Sequence, residues 1–162
     1  MLKQPWAQLV GWELTYNKGF ADVIGCTINP RDEKKRICVA EVKRTRSDLL
    51  QDIKKKKLLK YEHGSTHCYL AGTREALNSE KLGVNVLSDL DKLGLPKHWG
   101  ILELTDEVKC LRPARQINKL NLNRLSALIR RLARSHMYRC LNGLGYEVPG
   151  AGESISDSEE QD

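Results

Sequence analysis

The chain has 162 residues, of which 40% are hydrophobic, and it carries a formal net charge of +6. This length supports one domain with a core of its own, so neither disulfides nor a structural metal is required for folding. The sequence contains no signal peptide and no apolar run of membrane-spanning length, which argues against a membrane protein. Five widely spaced cysteines without a Cys-x-x-Cys pair indicate a reducing, cytoplasmic location.

The charge is distributed unevenly along the chain. Residues 147–162 contain six acidic residues and no basic residue, so residues 1–146 carry 27 basic against 15 acidic side chains, a net charge of +12. An excess of this size is typical of proteins that bind a polyanion such as DNA. We therefore predict a folded domain over residues 1–146, with its core at about 10–114, and a disordered acidic tail over 147–162.

The first part of the domain predicts three strands. A strand over about 10–16 is followed by a tight turn, and two β-branched runs follow at 21–28 and 37–42. The loop between these two runs contains Pro30 and several polar residues, which favours an antiparallel hairpin.

Three charged residues interrupt these apolar strands. Asp22 lies in the middle of one strand, and Glu41 and Lys43 lie two apart in the next, so that they share one face. A Glu-x-Lys pair alone is typical of a solvated edge strand. A second carboxylate nearby would be repelled unless a cation shared the site, and Mg²⁺ is commonly held by one or two carboxylates.

A helix is predicted from Ser47 to about Glu62, where Gly64 stops it. Its apolar side consists of Leu50, Ile53, Leu58 and Tyr61. The four consecutive lysines at 54–57 cover most of the helix circumference, so at least one should flank the Glu-Val-Lys strand.

The remaining elements are a buried strand, an irregular insert, a hairpin and a long helix. We predict strands at 66–71, 84–87, 100–104 and 107–111, helical turns at 74–78 and 87–93, and a helix at about 119–139. The long helix has an apolar stripe formed by Leu125, Leu128, Ile129 and Leu132, and arginines on its other side.

The spacing of the three charged residues is similar to that of a known family. Asp22, followed nineteen residues later by Glu41-Val42-Lys43, resembles the signature of the PD-(D/E)XK nuclease superfamily, although Ala21 stands where a proline is usual. The flanking order resembles the MmcB-like branch of DNA-repair nucleases. It comprises residues 41–52, Tyr61, 68–71, 99–103 and 111–114.

The resemblance implies a restriction-endonuclease-like α/β fold, a mixed central sheet flanked by helices, here with an added basic C-terminal helix. It implies an Mg²⁺-dependent DNA endonuclease of repair or recombination, with Mn²⁺ as a substitute and 5′-phosphate and 3′-hydroxyl products. Asp22, Glu41 and the Val42 carbonyl would bind the metal, and Lys43 would orient the attacking water. Glu13 is a candidate accessory ligand.

DNA is the expected partner, and in a bacterium or phage the protein would be associated with the nucleoid. The predicted phosphate contacts are Arg44, Arg46, Lys54, Lys57, Arg130 and Arg134. A homing endonuclease or a junction resolvase of the same fold is an alternative, and both usually form a homodimer or a higher homo-oligomer. Two further alternatives are a non-catalytic DNA-binding module and a protein-interaction surface formed by the arginine helix.

Overall fold

A computed structural model describes residues 9–16, 19–26 and 36–143, with side chains over 21–26 and 36–136. The predicted acidic tail at 147–162 and the Pro30 loop lie outside these residues. Among the helices that the structure describes, none combines the length and apolar character needed to cross a membrane.

The described strands form one mixed sheet, flanked by helices, so the predicted α/β class is confirmed. Its six strands follow one another in space in chain order. They are β1 (Leu9–Tyr16), β2 (Gly19–Cys26), β3 (Ile37–Lys43), β4 (His67–Thr73), β5 (Gly100–Leu104) and β6 (Val108–Arg112). The predicted hairpins β2–β3 and β5–β6 are both antiparallel, as expected.

The strand directions bring the charged residues to one end of the sheet. β3, β4 and β5 are parallel, so their carboxyl ends lie at one edge, and β2 is antiparallel to β3. The start of β2 therefore lies beside the end of β3. In open α/β sheets, the carboxyl edge of parallel strands is where ligands commonly bind.

Alternate residues of β2, β3, β4 and β5 face a single hydrophobic core. Ile24 pairs with Val39, and Leu70 pairs with Ile101, and all four side chains are fully buried. The same face carries Glu41, because it is two residues from Val39. On this face of β3, the apolar side chains are therefore followed by the charged Glu41 near the edge of the sheet.

The predicted helix 47–62 is wrong in its length, because the chain forms two shorter helices. Helix α1 (Arg46–Lys54) begins after Thr45, whose hydroxyl accepts a hydrogen bond from the Asp48 amide, and a 3₁₀ helix spans Lys57–Tyr61. Between them, Lys56 adopts a left-handed conformation with φ of 53°. This break lets Leu58 and Tyr61 enter the core.

The apolar side predicted for this segment needs one correction. Leu49 is fully buried, whereas Leu50 is 38% exposed. Leu49 and Asp52 form the buried side of α1, since they lie three residues apart on one helix face.

The insert between β4 and β5 contains two helices, α2 (Arg74–Leu77) and α3 (Val86–Lys92). The helical predictions at 74–78 and 87–93 are confirmed, but the strand at 84–87 is wrong. Asn85 caps α3, because its side chain accepts a hydrogen bond from the Ser88 amide at 3.2 Å. The chain therefore enters a helix where a strand was expected.

The last described element, α4 (Leu122–Gly143), corresponds to the predicted C-terminal helix. It begins at Asn121, whose side chain accepts from the amides of Asn123 and Arg124. Leu125, Leu128 and Leu132 are buried in the core, as the apolar stripe predicted, and α4 packs against β1.

Candidate active site

Asp22 lies where the pairing between β2 and β3 ends. The ladder runs from Cys26↔Ile37 to Val23↔Ala40. One residue further along, the Asp22 carboxylate accepts a hydrogen bond from the Val42 amide at 2.6 Å, measured from N to Oδ2. Because Asp22 and Glu41 are adjacent to the partners Val23 and Ala40, their side chains share a face of the sheet.

The two carboxylate oxygens of Glu41 differ in their contacts. Oε1 accepts a hydrogen bond from the Lys43 ammonium at 3.0 Å. Oε2 is buried and has no hydrogen-bond partner in the portion of the protein that the structure describes. A buried charged oxygen of this kind is costly unless a cation or water satisfies it.

The Lys43 ammonium is surrounded by carboxylates. Besides Glu41, its Nζ lies 2.8 Å from Asp52 Oδ2 and 3.7 Å from Asp48. Burial alone lowers the pKa of Lys43, but hydrogen bonds and charges from Asp52 and Glu41 outweigh it, so the pKa lies above its ordinary value. Lys43 therefore stays protonated at any physiological pH.

Lys43, Lys57, Asp22, Glu41, Asp48 and Asp52 form one cluster of charged side chains. Of these, Asp52 was given no role by the sequence analysis. It is 5% exposed, and its second oxygen binds Lys57 at 3.1 Å. Burial raises the pKa of Asp52, but the two lysines lower it by more. The available sequence signal was an acidic residue beside Ile53 and three residues after Leu49, within the apolar side of a helix.

Tyr61, in the 3₁₀ helix, lies next to the charged cluster. Its side chain is 1% exposed. Burial, together with a hydrogen bond to Glu41 and the charges of Glu41, Asp22 and Asp52, raises the pKa of its hydroxyl. The phenol therefore stays neutral and lies within the field of all three carboxylates.

The Val42 carbonyl and Glu13 were also predicted as metal ligands. In an extended strand, the amide and carbonyl of one residue point to the same side, so the Val42 carbonyl is directed toward β2, as its amide is. Glu13 lies in β1 between Trp12, which pairs with Val23, and Leu14, which pairs with Ala21. Its side chain lies outside the described set.

The predicted phosphate contacts differ in how available they are. Arg46 is held in an ion pair with Asp89 and donates to the Ala76 carbonyl at 3.2 Å. Lys57 is half-exposed and bound to Asp52. Arg44, Lys54, Arg130 and Arg134 are also exposed.

The described residues include no group of three or more His, Cys, Asp or Glu side chains arranged to hold a metal ion. The candidate metal ligands described here are therefore two carboxylates and a backbone carbonyl. Such a set leaves positions for water and substrate oxygens, as is usual for Mg²⁺.

The fold is shared with a solved structure. The chain is similar to SPO1766, a protein of unknown function from Silicibacter pomeroyi, with a TM-score of 0.56 and 24% sequence identity. The match covers 90% of this chain and 83% of that chain. No family model matches the sequence, and no curated protein matches it. This likeness concerns the fold alone.

Proposed function

We propose that the protein is a metal-dependent DNA endonuclease with a restriction-endonuclease-like fold of the PD-(D/E)XK type. The observation that carries the proposal is the meeting of Asp22 and Glu41 at one end of the sheet, beside the buried ammonium of Lys43. Repair or recombination of DNA is the proposed setting, as the resemblance of the sequence implies.

The charges of the cluster suit a divalent cation. The cluster contains the four carboxylates of Asp22, Glu41, Asp48 and Asp52 and the two ammonium groups of Lys43 and Lys57, which leaves two more negative than positive charges. Oε2 of Glu41, to which the described residues supply no hydrogen bond, offers a buried oxygen of the hard type that Mg²⁺ and Mn²⁺ prefer. These residues therefore fit the proposed metal.

Asp22, Glu41 and the Val42 carbonyl would hold the cation, with Glu13 as a further candidate. When bound, the metal would polarise a phosphoryl oxygen and lower the pKa of a bound water. The hydrogen bond from Val42 to Asp22 keeps one ligand in place, because it fixes the carboxylate against the backbone of the neighbouring strand. The site is thus organised by the sheet itself.

Lys43 would act as a fixed positive charge. Its contacts with Asp52 and Glu41 favour the protonated ammonium, which suits a positive charge better than a general base. It can orient the attacking water and offset the negative charge that develops on the phosphoryl group. This electrostatic role agrees with its position 3.0 Å from a proposed metal ligand.

Four exposed basic residues are proposed to contact the DNA backbone, namely Arg44, Lys54, Arg130 and Arg134. Lys57 would contribute less to phosphate binding, because Asp52 already binds it. Arg46 is the weakest candidate, since its side chain links α1 to α2 and α3.

The test is cleavage of plasmid, single-stranded and four-way DNA with Mg²⁺ or Mn²⁺, beside a chelator control. We expect metal-dependent products with 5′-phosphate ends. Preferential cleavage of the four-way DNA by an oligomer would favour the junction resolvase. Binding without cleavage in either metal would overturn the enzyme proposal and favour a non-catalytic DNA-binding module.

A further inference from the structure

We propose that Asp52 is a positioning residue, which holds the Lys43 ammonium beside Glu41 and is itself held by Lys57. This inference rests on the proposed function, because it names a residue that organises the same site. It concerns the series of ion pairs formed by Lys57, Asp52, Lys43 and Glu41, which we call the ion-pair chain.

The distances define a continuous path from the surface to the sheet. Lys57 is half-exposed and binds Asp52 Oδ1 at 3.1 Å. Asp52 Oδ2 binds Lys43 at 2.8 Å, and Lys43 binds Glu41 Oε1 at 3.0 Å. Each carboxylate oxygen of Asp52 therefore binds a different lysine.

The ion-pair chain joins three elements of the fold. Lys43 and Glu41 belong to β3, whereas Asp52 belongs to α1 and Lys57 begins the 3₁₀ helix. A lysine side chain has a flexible four-carbon stem, so one contact within its own strand would not fix its ammonium. A second carboxylate from α1 defines the position of Nζ.

Stability alone does not account for this arrangement. A buried ion pair contributes little net stability compared with apolar side chains of the same size, because both charges lose their hydration. Lys43, Asp52 and Glu41 are all at least nine-tenths buried. A function for the oriented ammonium gives a reason for burying three charges beside a hydrophobic core.

The contact with Glu41 makes the second anchor more important. Glu41 is a proposed metal ligand, so its carboxylate would share its charge between the cation and Lys43. Asp52 is not a proposed ligand, and its hold on Lys43 is independent of the metal. Lys57 in turn balances the Asp52 charge and fixes its second oxygen.

The test compares Asp52→Asn and Asp52→Glu with an exposed control, Asp106→Asn, which lies between β5 and β6. The first readout is the ¹H–¹⁵N spectrum of lysine ammonium groups in the full chain. A doubly anchored, buried ammonium exchanges slowly with water and gives a signal, which Lys43→Arg assigns. We expect the Lys43 signal in the wild type, its loss in Asp52→Asn, and its retention in Asp106→Asn.

The second readout is DNA cleavage at saturating Mg²⁺. We expect Asp52→Asn to lower kcat by ~10–100-fold with KM nearly unchanged, as for other residues that orient a reacting group. Asp52→Glu should restore part of kcat, because it returns a carboxylate to the ion-pair chain. Lys57→Gln should cause a smaller loss, since it removes only the outer contact.

The outcomes separate this inference from the proposed function. An unchanged Lys43 signal in Asp52→Asn would overturn the positioning role, whatever the activity. Should the wild type cleave no DNA, the proposed function fails, while the ammonium spectrum still decides whether Asp52 holds Lys43. If Asp52→Asn does not fold, Asp52→Glu and Lys57→Gln provide the same comparison, and a normal kcat in both would contradict the proposal.

Discussion

The carboxylate of Asp22 binds the backbone amide of Val42, 2.6 Å away in the neighbouring strand. This contact takes the place of the next main-chain hydrogen bond, since the β2–β3 pairing ends at Val23 and Ala40. Asp22 thus lies one residue beyond the last β2–β3 pair, beside Glu41. Two neighbouring carboxylates therefore lie where the pairing of β2 with β3 ends.

The contact makes Asp22→Asn an informative variant. The amide oxygen of asparagine can still accept from Val42, so the fold should be retained while the charge is lost. We predict loss of metal-dependent cleavage with DNA affinity equal to or tighter than that of the wild type, because a negative charge leaves a site for a polyanion. Plasmid cleavage and fluorescence anisotropy measure the two effects. Cleavage at the wild-type rate would remove Asp22 from the metal site.

Because His67 is buried, we predict that the folded protein loses stability in mild acid. Burial and the nearby charge of Arg36 lower the pKa of His67 from 6.5 to about 4. Between these values the unfolded chain binds the proton more readily than the folded chain, so stability falls as the pH falls. From pH 7 to pH 5 this loss should be about 2 kcal/mol.

Urea denaturation at both pH values tests this assignment. The difference between pH 7 and pH 5 should shrink in His67→Gln, which has no titrating side chain at this position. The exposed histidine variant His63→Gln retains His67 and should show the wild-type difference. An equal pH dependence in His67→Gln and the wild type would show that other groups cause the loss.

The left-handed residue between α1 and the 3₁₀ helix predicts a stabilising substitution. Lys56 has φ of 53°, which is costly for a residue with a Cβ and free of that cost for glycine. Lys56→Gly should therefore raise the free energy of unfolding by roughly 0.5–1 kcal/mol, measured in urea. Lys55→Gly, at φ of −81°, should instead lower it. The same sign for both variants would contradict this account of the turn.

Lys54 tests the proposed phosphate contacts. It is exposed at the end of α1, close in sequence to Asp52 but not part of the ion-pair chain. Lys54→Gln should weaken binding to all DNA sequences and reduce the slope of log affinity against log salt by about one. Lys81→Gln, an exposed lysine between α2 and α3, is the matched control. Equal slopes for both variants would place the DNA elsewhere.

The sequence predicted the strands well because β-branched runs alternate clearly with turn residues. Asp22, Glu41 and Lys43 were recognisable because charged residues are unusual inside such strands. The break at Lys56 was missed, since a run of lysines contains no glycine or proline to mark it. Asn85 was passed over as a helix cap, so a strand was predicted there.

The wider cluster depended on contacts between separate elements. The part played by Asp52 follows from the packing of α1 on β3, and sequence spacing does not define that packing. Arg46 looked equivalent to Arg44 in the sequence, but the position of Asp89 on α3 determines its contact. Such pairings arise only when distant segments fold together.

The central claim is that Asp22 and Glu41 together hold one divalent cation, and calorimetric titration with Mn²⁺ tests it most directly. The account predicts saturable binding by the wild type and by Asp106→Asn, and affinity at least ~10-fold weaker in Glu41→Gln and Asp22→Asn. Glutamine at position 41 keeps an oxygen for Lys43, so this loss would report the metal. Equal Mn²⁺ affinity in Glu41→Gln and the wild type, or no binding by the wild type, would contradict the account.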